Sequence, residues 1–235
     1  MHFHLPKTLH GWREFIGEVA IIVLGVLIAL SAEQVVDRWQ WAAKLRSSEG
    51  AMRAELLSDD GPQIYHRAAI HDCLQQKLGD IRTAVENRAS RADIVRLTNA
   101  YQLRFLSYDT VAHDAASHAD VMDHMGADRV KTYTDAYAMM PYMERTNGRE
   151  ADSVSELHAF SRTGGPLTDN ERDRILDAVE SLKTYDGMMY RAAGWALPAI
   201  RRLGPLDPQR MARFDRFART TYGACVKTVP ADFSV

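Results

Sequence analysis

Charge of one sign is what this sequence most nearly lacks. Its 29 Lys and Arg are balanced by 31 Asp and Glu, for a formal net charge of -2. That balance offers no basic footprint for a phosphate backbone, so nucleic acid is not an expected partner. The charges are interspersed rather than blocked, as on solvated helix faces. Catalytic signatures are missing too: the chain has no G-x-S-x-G, phosphate loop, H-E-x-x-H or C-x-x-C. No catalytic residue and no cofactor is therefore expected, and Gly164-Gly165-Pro166 reads as a turn. No stretch sustains period-two alternation, which excludes a sheet protein. Cysteine is scarce, with only Cys73 and Cys225. An even pair so far apart could close a disulfide in an oxidising compartment; two buried thiols fit the sequence equally well.

Against that background one block stands out. From Val19 to Ala32 the chain is uncharged and almost wholly apolar, with neither helical nor strand periodicity. A helix apolar on every side must be surrounded by core or by lipid. The run of about 14 residues is short for a span, which takes roughly 20, so length alone does not decide. The flanks do. Trp12 precedes the run while Trp39 and Trp41 follow it, and a helix from Trp12 to Trp39 rises about 40 Å, close to a bilayer with its headgroup layers. Indoles favour both interfaces.

A transmembrane signal anchor over 15–32 is therefore expected. Glu18 then lies about one turn inside, accommodated by protonation, by reaching the interface, or by a partner on a neighbouring chain. The competing reading is a cleaved signal peptide, with Lys7 and Arg13 leading and Ala29-Leu30-Ser31 as the site. No helix breaker precedes that site, and the helical pattern runs through it. The positive-inside count is nearly tied, Lys7 and Arg13 against Arg38, Lys44 and Arg46. The cysteine pair tips the expectation toward a periplasmic C-terminal domain in a bacterial inner membrane.

Downstream, the spacing is helical throughout. The expected organisation is a short segment (1–14), the span (15–32), a stalk helix (33–57), a helical bundle (58–222) and a tail (223–235). The fold class is all-α: an N-terminal transmembrane helix continuing into an antiparallel helical bundle. Ser58-Asp59-Asp60-Gly61-Pro62 should stop the stalk helix and start the next, with Pro62 in a first-turn position. Ile64, Ala68, His71, Leu74, Leu78, Ile81 and Val85 form the next stripe. Ser90 with Asp93 marks a helix start, leading through Ile94 and Leu97 to Tyr101 and Phe105. Thr110 should cap a helix that shows Val111, Ala115, His118, Met122 and Met125 on one face. Pro141 should end or kink the following one. Thr168 and Glu171 spell a capping box ahead of a long helix on Ile175, Val179, Leu182, Met189, Ala193, Ala196 and Ile200, with Pro198 inside it.

Three features invite chemistry. Between His113 and His124, the pairs Asp114 with His118 and Asp120 with His124 have the i,i+4 spacing of two ligands to one ion. His113, His118, Asp120 and His124 are thus the metal candidates, and a metal-dependent hydrolase using His113, His118 and Asp120 is one alternative function. Against it, the four fall on two faces and no second helix repeats the spacing, so a polar bundle seam is the preferred expectation. The run Tyr133 to Met143 could line an apolar pocket, giving a membrane-tethered carrier as another alternative; Met and Tyr at helical spacing more often fill a core. Finally, Gly25 and Ala29 form a small-x-x-x-small pair that lets two membrane helices approach closely, toward a homo-oligomer or a membrane-protein partner.

The segment Gly17-Glu18, then Val23, Gly25 and Leu27-Ile28-Ala29-Leu30, after His10-Gly11-Trp12-Arg13-Glu14-Phe15, resembles an uncharacterised family of bacterial single-pass proteins. Its members share G-E-x-x-x-x-V-x-G-x-L-I-A-L and a helical region of similar size, and the similarity is most specific over the first 40 residues or so. Many relatives place Asn or Trp just after the span, where this chain has Glu33-Gln34. The resemblance implies architecture and membrane location, with the lipid bilayer as a partner, and implies no activity or cofactor. A membrane-anchored scaffold or sensor-like interaction module is the expected function.

Overall fold

In the computed structural model the described residues are 11–162 and 164–233; Lys7 and His10 lie outside them. The chain divides into two compact units, Met1–Ser47 and Ser48–Val235. Helix α1 (Trp12–Ala54) supplies the described part of the first unit and the opening turns of the second. It is the one described helix long and apolar enough to cross a membrane, and none of its apolar stretch is buried. Ile21 is 73% exposed and Trp39 81% exposed. The one hydroxyl in that stretch is satisfied internally, Ser31 Oγ donating to the carbonyl of Leu27 at 2.7 Å.

The regular structure of the second unit is all helical among the described residues. After α1 come a π-helical turn (Glu55–Asp60), α2 (Gly61–Ala69), α3 (His71–Glu86), α4 (Arg91–Ala100), α5 (Val111–His118), α6 (Ala127–Tyr137), α7 (Met140–Ala159), α8 (Asp169–Leu203) and α9 (Pro208–Tyr222). The bundle is organised about α8, which packs against α2, α3, α6 and α7; α2 also meets α9, and α3 meets α4. Leu74, Leu78, Ile81 and Val85 of α3 meet Ile175, Val179 and Leu182 of α8 in one buried cluster. Each such side chain contributes roughly 1.5–3 kcal/mol by leaving water.

The local start signals operate as their chemistry dictates. Thr168 accepts from Glu171 N while Glu171 reaches back to Thr168 N, a complete capping box. Ser90 accepts from Asp93 N, and Asp207 accepts from Gln209 N and Arg210 N. Helix α6 ends at Tyr137, close to Pro141 as expected, and Pro141 itself lies in the first turn of α7, where a proline has no N–H to lose. Two expectations need correction. Helix α4 stops at Ala100, because Tyr101 turns extended (φ -81°, ψ 99°). Helix α5 stops at His118, with Asp120 at φ 57°, and buries Ala116 while leaving Val111 70% exposed.

The expected stop at Ser58–Pro62 is no stop: the helix passes from α1 into α2 through the π-turn. Gly61 N donates to Leu56 O, five residues back, instead of to Leu57 O. The carbonyl of Leu57 so released accepts from Asp207 N at 2.9 Å, joining this bend to the start of α9. Residues 101–110 carry no regular structure. Side chains satisfy their backbone instead: Glu144 takes Tyr108 N, Asp60 takes Asp109 N, and Asn147 donates to Leu106 O.

Candidate functional site

The bundle buries a charged cluster where four helices meet. Arg67 comes from α2, His71 and Gln75 from α3, Glu150 from α7 and Asp186 from α8. Arg67 is 5% exposed and Glu150 and Asp186 1% each, so all three have left water. The Arg67 guanidinium pairs with Glu150 and lies 3.0 Å from Asp186 Oδ1. Gln75 Nε2 donates to Asp186 Oδ2 at 2.6 Å and to the carbonyl of Lys183 at 3.2 Å. His71 Nδ1 is 2.6 Å from Asp186 Oδ2, though without the alignment of a hydrogen bond, and its ring stacks on Tyr190 with centroids 4.1 Å apart.

Burial sets the proton affinities here. Desolvation lifts the Glu150 carboxyl to about 7, against the pull of Arg67 and with a push from Asp186. Burial alone would lower the Arg67 pKa, but the charges of Glu150 and Asp186 outweigh it and hold the guanidinium firmly charged. Burial raises the hydroxyls of Tyr101 and Tyr108. At the π-turn, burial lifts Asp60 to about 8; only its Oδ1 has a donor, Asp109 N, and its Oδ2 has none. Removing one partner of such a buried pair costs more than the pair contributes, because the other charge stays in the interior. The cluster pins α2, α7 and α8 in register. It contains no activated nucleophile.

The metal candidates are not gathered. His118 Nδ1 is bonded to the carbonyl of Asp114 at 2.7 Å and is solvent-exposed. His113 lies against the ring of Tyr137, centroids 4.8 Å apart. Asp120 is in the turn after α5, and His124 in a short 3-10 turn, so the helix that would have paired them does not continue. Among the described residues no group of three or more His, Cys, Asp or Glu is arranged to hold a metal ion. One face of the Tyr133 to Met143 run is core: Tyr133, Ala136, Tyr137, Met140 and Met143 are buried, and Tyr137 donates to Glu55 Oε1 at 2.7 Å. Its half-buried members Met139 and Tyr142 border a surface hollow with Trp195, which is 68% exposed.

Gly17, Glu18, Gly25 and Ala29 all lie on the exposed part of α1. A Cβ at Gly17 or Gly25 would meet nothing within 4 Å, so nothing within the described chain uses the room they leave. Cys73 and Cys225 are joined in a disulfide with Cα atoms 5.4 Å apart, bridging α3 and the short 3-10 turn after α9. Beyond Cys225 a C-terminal strap crosses α2. Lys227 N donates to Ala69 O, Val229 N to the Tyr65 hydroxyl, Lys227 Nζ pairs with Asp72, and the Arg201 guanidinium binds the carbonyls of Pro230 and Ala231.

The charged cluster is absent from the sequence expectations, yet a signal for it exists. Asp186 occupies the slot between Leu182 and Met189 on the apolar stripe of α8, and Glu150 the slot between Met143 and Leu157 on α7. A charge in a core slot must be paired. Between α2, α9 and the strap lies a cavity of about 230 Å³, walled by Tyr65, His66, Met211, Ala218, Val226 and Lys227. Compared with family models, curated proteins and solved structures, the chain matches none of them.

Proposed function

We propose that this chain is a membrane-anchored interaction module of scaffold or sensor type, held in a bacterial inner membrane by the apolar part of α1 with its helical bundle in the periplasm. The observation that carries this reading is the stretch Val19–Ala32, uncharged and unburied in a chain whose bundle has its own complete core. In water, apolar surface of that kind costs about 25 cal/mol per Å², and contiguous patches so large mark a membrane or partner contact. Lipid removes the cost. The Gly17 to Leu30 motif, with its likeness to bacterial single-pass proteins, supports the same placement. The Cys73–Cys225 bond supports an oxidising compartment. Gly25 and Ala29 give the span a small-residue face for a second copy or a membrane-protein partner.

Fusions at the C-terminus test the topology. Active alkaline phosphatase and a dark fluorescent protein are expected. A fluorescent, phosphatase-inactive pair places the bundle in the cytoplasm and overturns the periplasmic reading. Fractionation of the same cells tests the anchor: the full-length chain should stay with membranes after alkaline carbonate washing. A soluble chain beginning near Ser31 would show instead that the stretch is a cleaved signal peptide.

A further inference from the structure

We infer that the face of α7 and α8 around Trp195 is a lipid-docking patch, which lays an apolar centre and a set of arginines on an anionic bilayer surface. The inference rests on the membrane-anchored reading above, which keeps such a surface within reach, and it holds for either side of the membrane. Exposure is the first argument. Trp195 is 68% exposed, in a bundle whose other exposed large apolar side chains among the described residues are Phe105 and Val111. Its indole borders two surface hollows. Met139, Tyr142, Met188 and Arg191 complete the first, and Ala138, Met139, Pro198 and Arg202 lie around the second. An indole has an apolar body and a single N–H donor, so it is best placed where acyl chains meet headgroups, and a tyrosine shares that preference.

Charge is the second argument. Arg191 follows Met188 by three residues on α8, and Arg145 and Arg149 follow Tyr142 by three and seven on α7. At those spacings all three arginines lie along the helix faces that carry the patch. Each is exposed, and none makes a hydrogen bond or ion pair with another described residue. Several exposed arginines elsewhere are answered: Arg82 by Glu86 and Glu180, Arg129 by Glu49, Arg210 by Asp59. Asp135, the acid that borders the second hollow, is already held by Lys131 and Arg202. The face therefore presents guanidinium groups that await an anion from outside the chain.

An anionic bilayer meets both halves of this chemistry. Its phosphate oxygens accept from guanidinium forks, while Trp195 and Tyr142 enter the headgroup layer. Each arginine near such a surface strengthens attachment about fivefold. Area argues against a freely diffusing protein as the occupant. Met139, Tyr142, Met188 and Trp195 form a small apolar centre beside the roughly 20–30 residues a side of a stable protein interface. A surface to which the bundle is tethered needs far less, because a tether supplies an effective concentration in about the millimolar range.

Trp195 itself is the reporter. In full-length protein carrying Trp12→Phe, Trp39→Phe and Trp41→Phe it is the sole tryptophan. This chain is placed in nanodiscs of phosphatidylcholine, with or without phosphatidylglycerol, whose acyl chains carry bromine near the headgroup. With phosphatidylglycerol, Trp195 emission should move to the blue and be quenched by the bromine, and added salt should reverse both. Adding Arg145→Gln, Arg149→Gln and Arg191→Gln together should weaken docking about a hundredfold and return the emission of a water-exposed indole, with the helical circular dichroism unchanged. An unquenched Trp195 in chains that have entered the discs overturns the docking and leaves the anchor standing. Equal quenching without phosphatidylglycerol, or in the arginine variant, overturns the anionic surface as the occupant. Soluble polyglutamate that shifts the emission as far as phosphatidylglycerol does overturns the lipid in favour of an acidic protein. Chains that never enter the discs overturn the anchor instead, and brominated phosphatidylglycerol vesicles added to them then decide the patch by the same quenching.

Discussion

Gly61 donates its backbone N–H to the carbonyl of Leu56, five residues back, and a methyl group on its Cα would lie 2.5 Å from that same oxygen. The methyl would also meet Leu206 Cδ2 at 2.5 Å. The π-turn therefore requires a residue without Cβ, although the Gly61 φ of -58° is open to any residue. Overpacking costs typically 1–3 kcal/mol, and here one of the two clashes is with backbone that cannot rotate away. Gly61→Ala should destabilise by about 3 kcal/mol, seen as a lowered denaturant midpoint in detergent-solubilised protein. A change under about 1 kcal/mol would mean that the turn reverts to α-helical pairing at little cost.

The Arg67 cluster predicts an asymmetric pair of mutants. Arg67→Met leaves Glu150 and Asp186 buried without their cation and should cost about 3–5 kcal/mol. Adding Glu150→Gln to that variant removes one orphaned charge and should restore part of the loss, a coupling that a double-mutant cycle measures directly. Additive effects would rule out the pairing as an energetic unit.

Stability should depend on pH in a window fixed by three buried groups. Asp60 and Glu150 are raised in the fold, to about 8 and about 7, so the native state holds protons that the unfolded chain has released. Their contribution is greatest at low pH and is lost as pH rises through the folded values. His66, lowered to about 4, works in the opposite sense: the native state binds fewer protons between about 4 and 6.5, and stability rises with pH there. The opposing slopes overlap below 6.5. Above it the acids alone act, and unfolding free energy should fall by about 2 kcal/mol between pH 6.5 and 8. Asp60→Asn should flatten most of that slope. An unchanged slope in Asp60→Asn would assign it to other groups.

Reduction gives a fourth test. The Cys73–Cys225 bond closes a loop with a sequence separation of 152. Chain-entropy reasoning for loops of this size gives about 3–5 kcal/mol of stabilisation. The double substitution Cys73→Ser and Cys225→Ser should lower the thermal midpoint accordingly. It should also free the strap, so that limited proteolysis reaches residues 226–233 before the bundle. Equal cleavage rates with and without the bond would show that Lys227–Asp72 and the Arg201 contacts hold the strap unaided.

What could be read in advance follows the range of the interaction. Thr168 with Glu171, Ser90 with Asp93, and Asp207 before Pro208 each act within a few residues, so their residue types announce them. The stripe of α8 was equally legible because one face of a long helix repeats many times. Arg67, Glu150 and Asp186 were not, because each becomes intelligible only beside partners 83 residues or more away along the chain. The π-turn misled for the same reason. Ser58 to Pro62 looks like a break between two helices until the Leu57 carbonyl meets Asp207 N, a contact no local pattern contains. In α5 the stripe on Val111 and His118 was periodic but faced outward, since an isolated helix pattern does not say which side the core is on.

The disulfide has one more consequence, for a chain that has been cut. Residues 101–110 form an irregular segment between α4 and α5, with Gln102, Arg104, Phe105 and Ser107 exposed. They fall between Cys73 and Cys225, inside the covalent ring that the bond creates. A protease that opens the backbone there produces two polypeptides but no separate molecules. The piece carrying α5 through α9 remains bolted through Cys225 to the piece that carries α1. Damage at the most irregular part of the bundle therefore cannot shed it from its helical leash until a reductant acts as well.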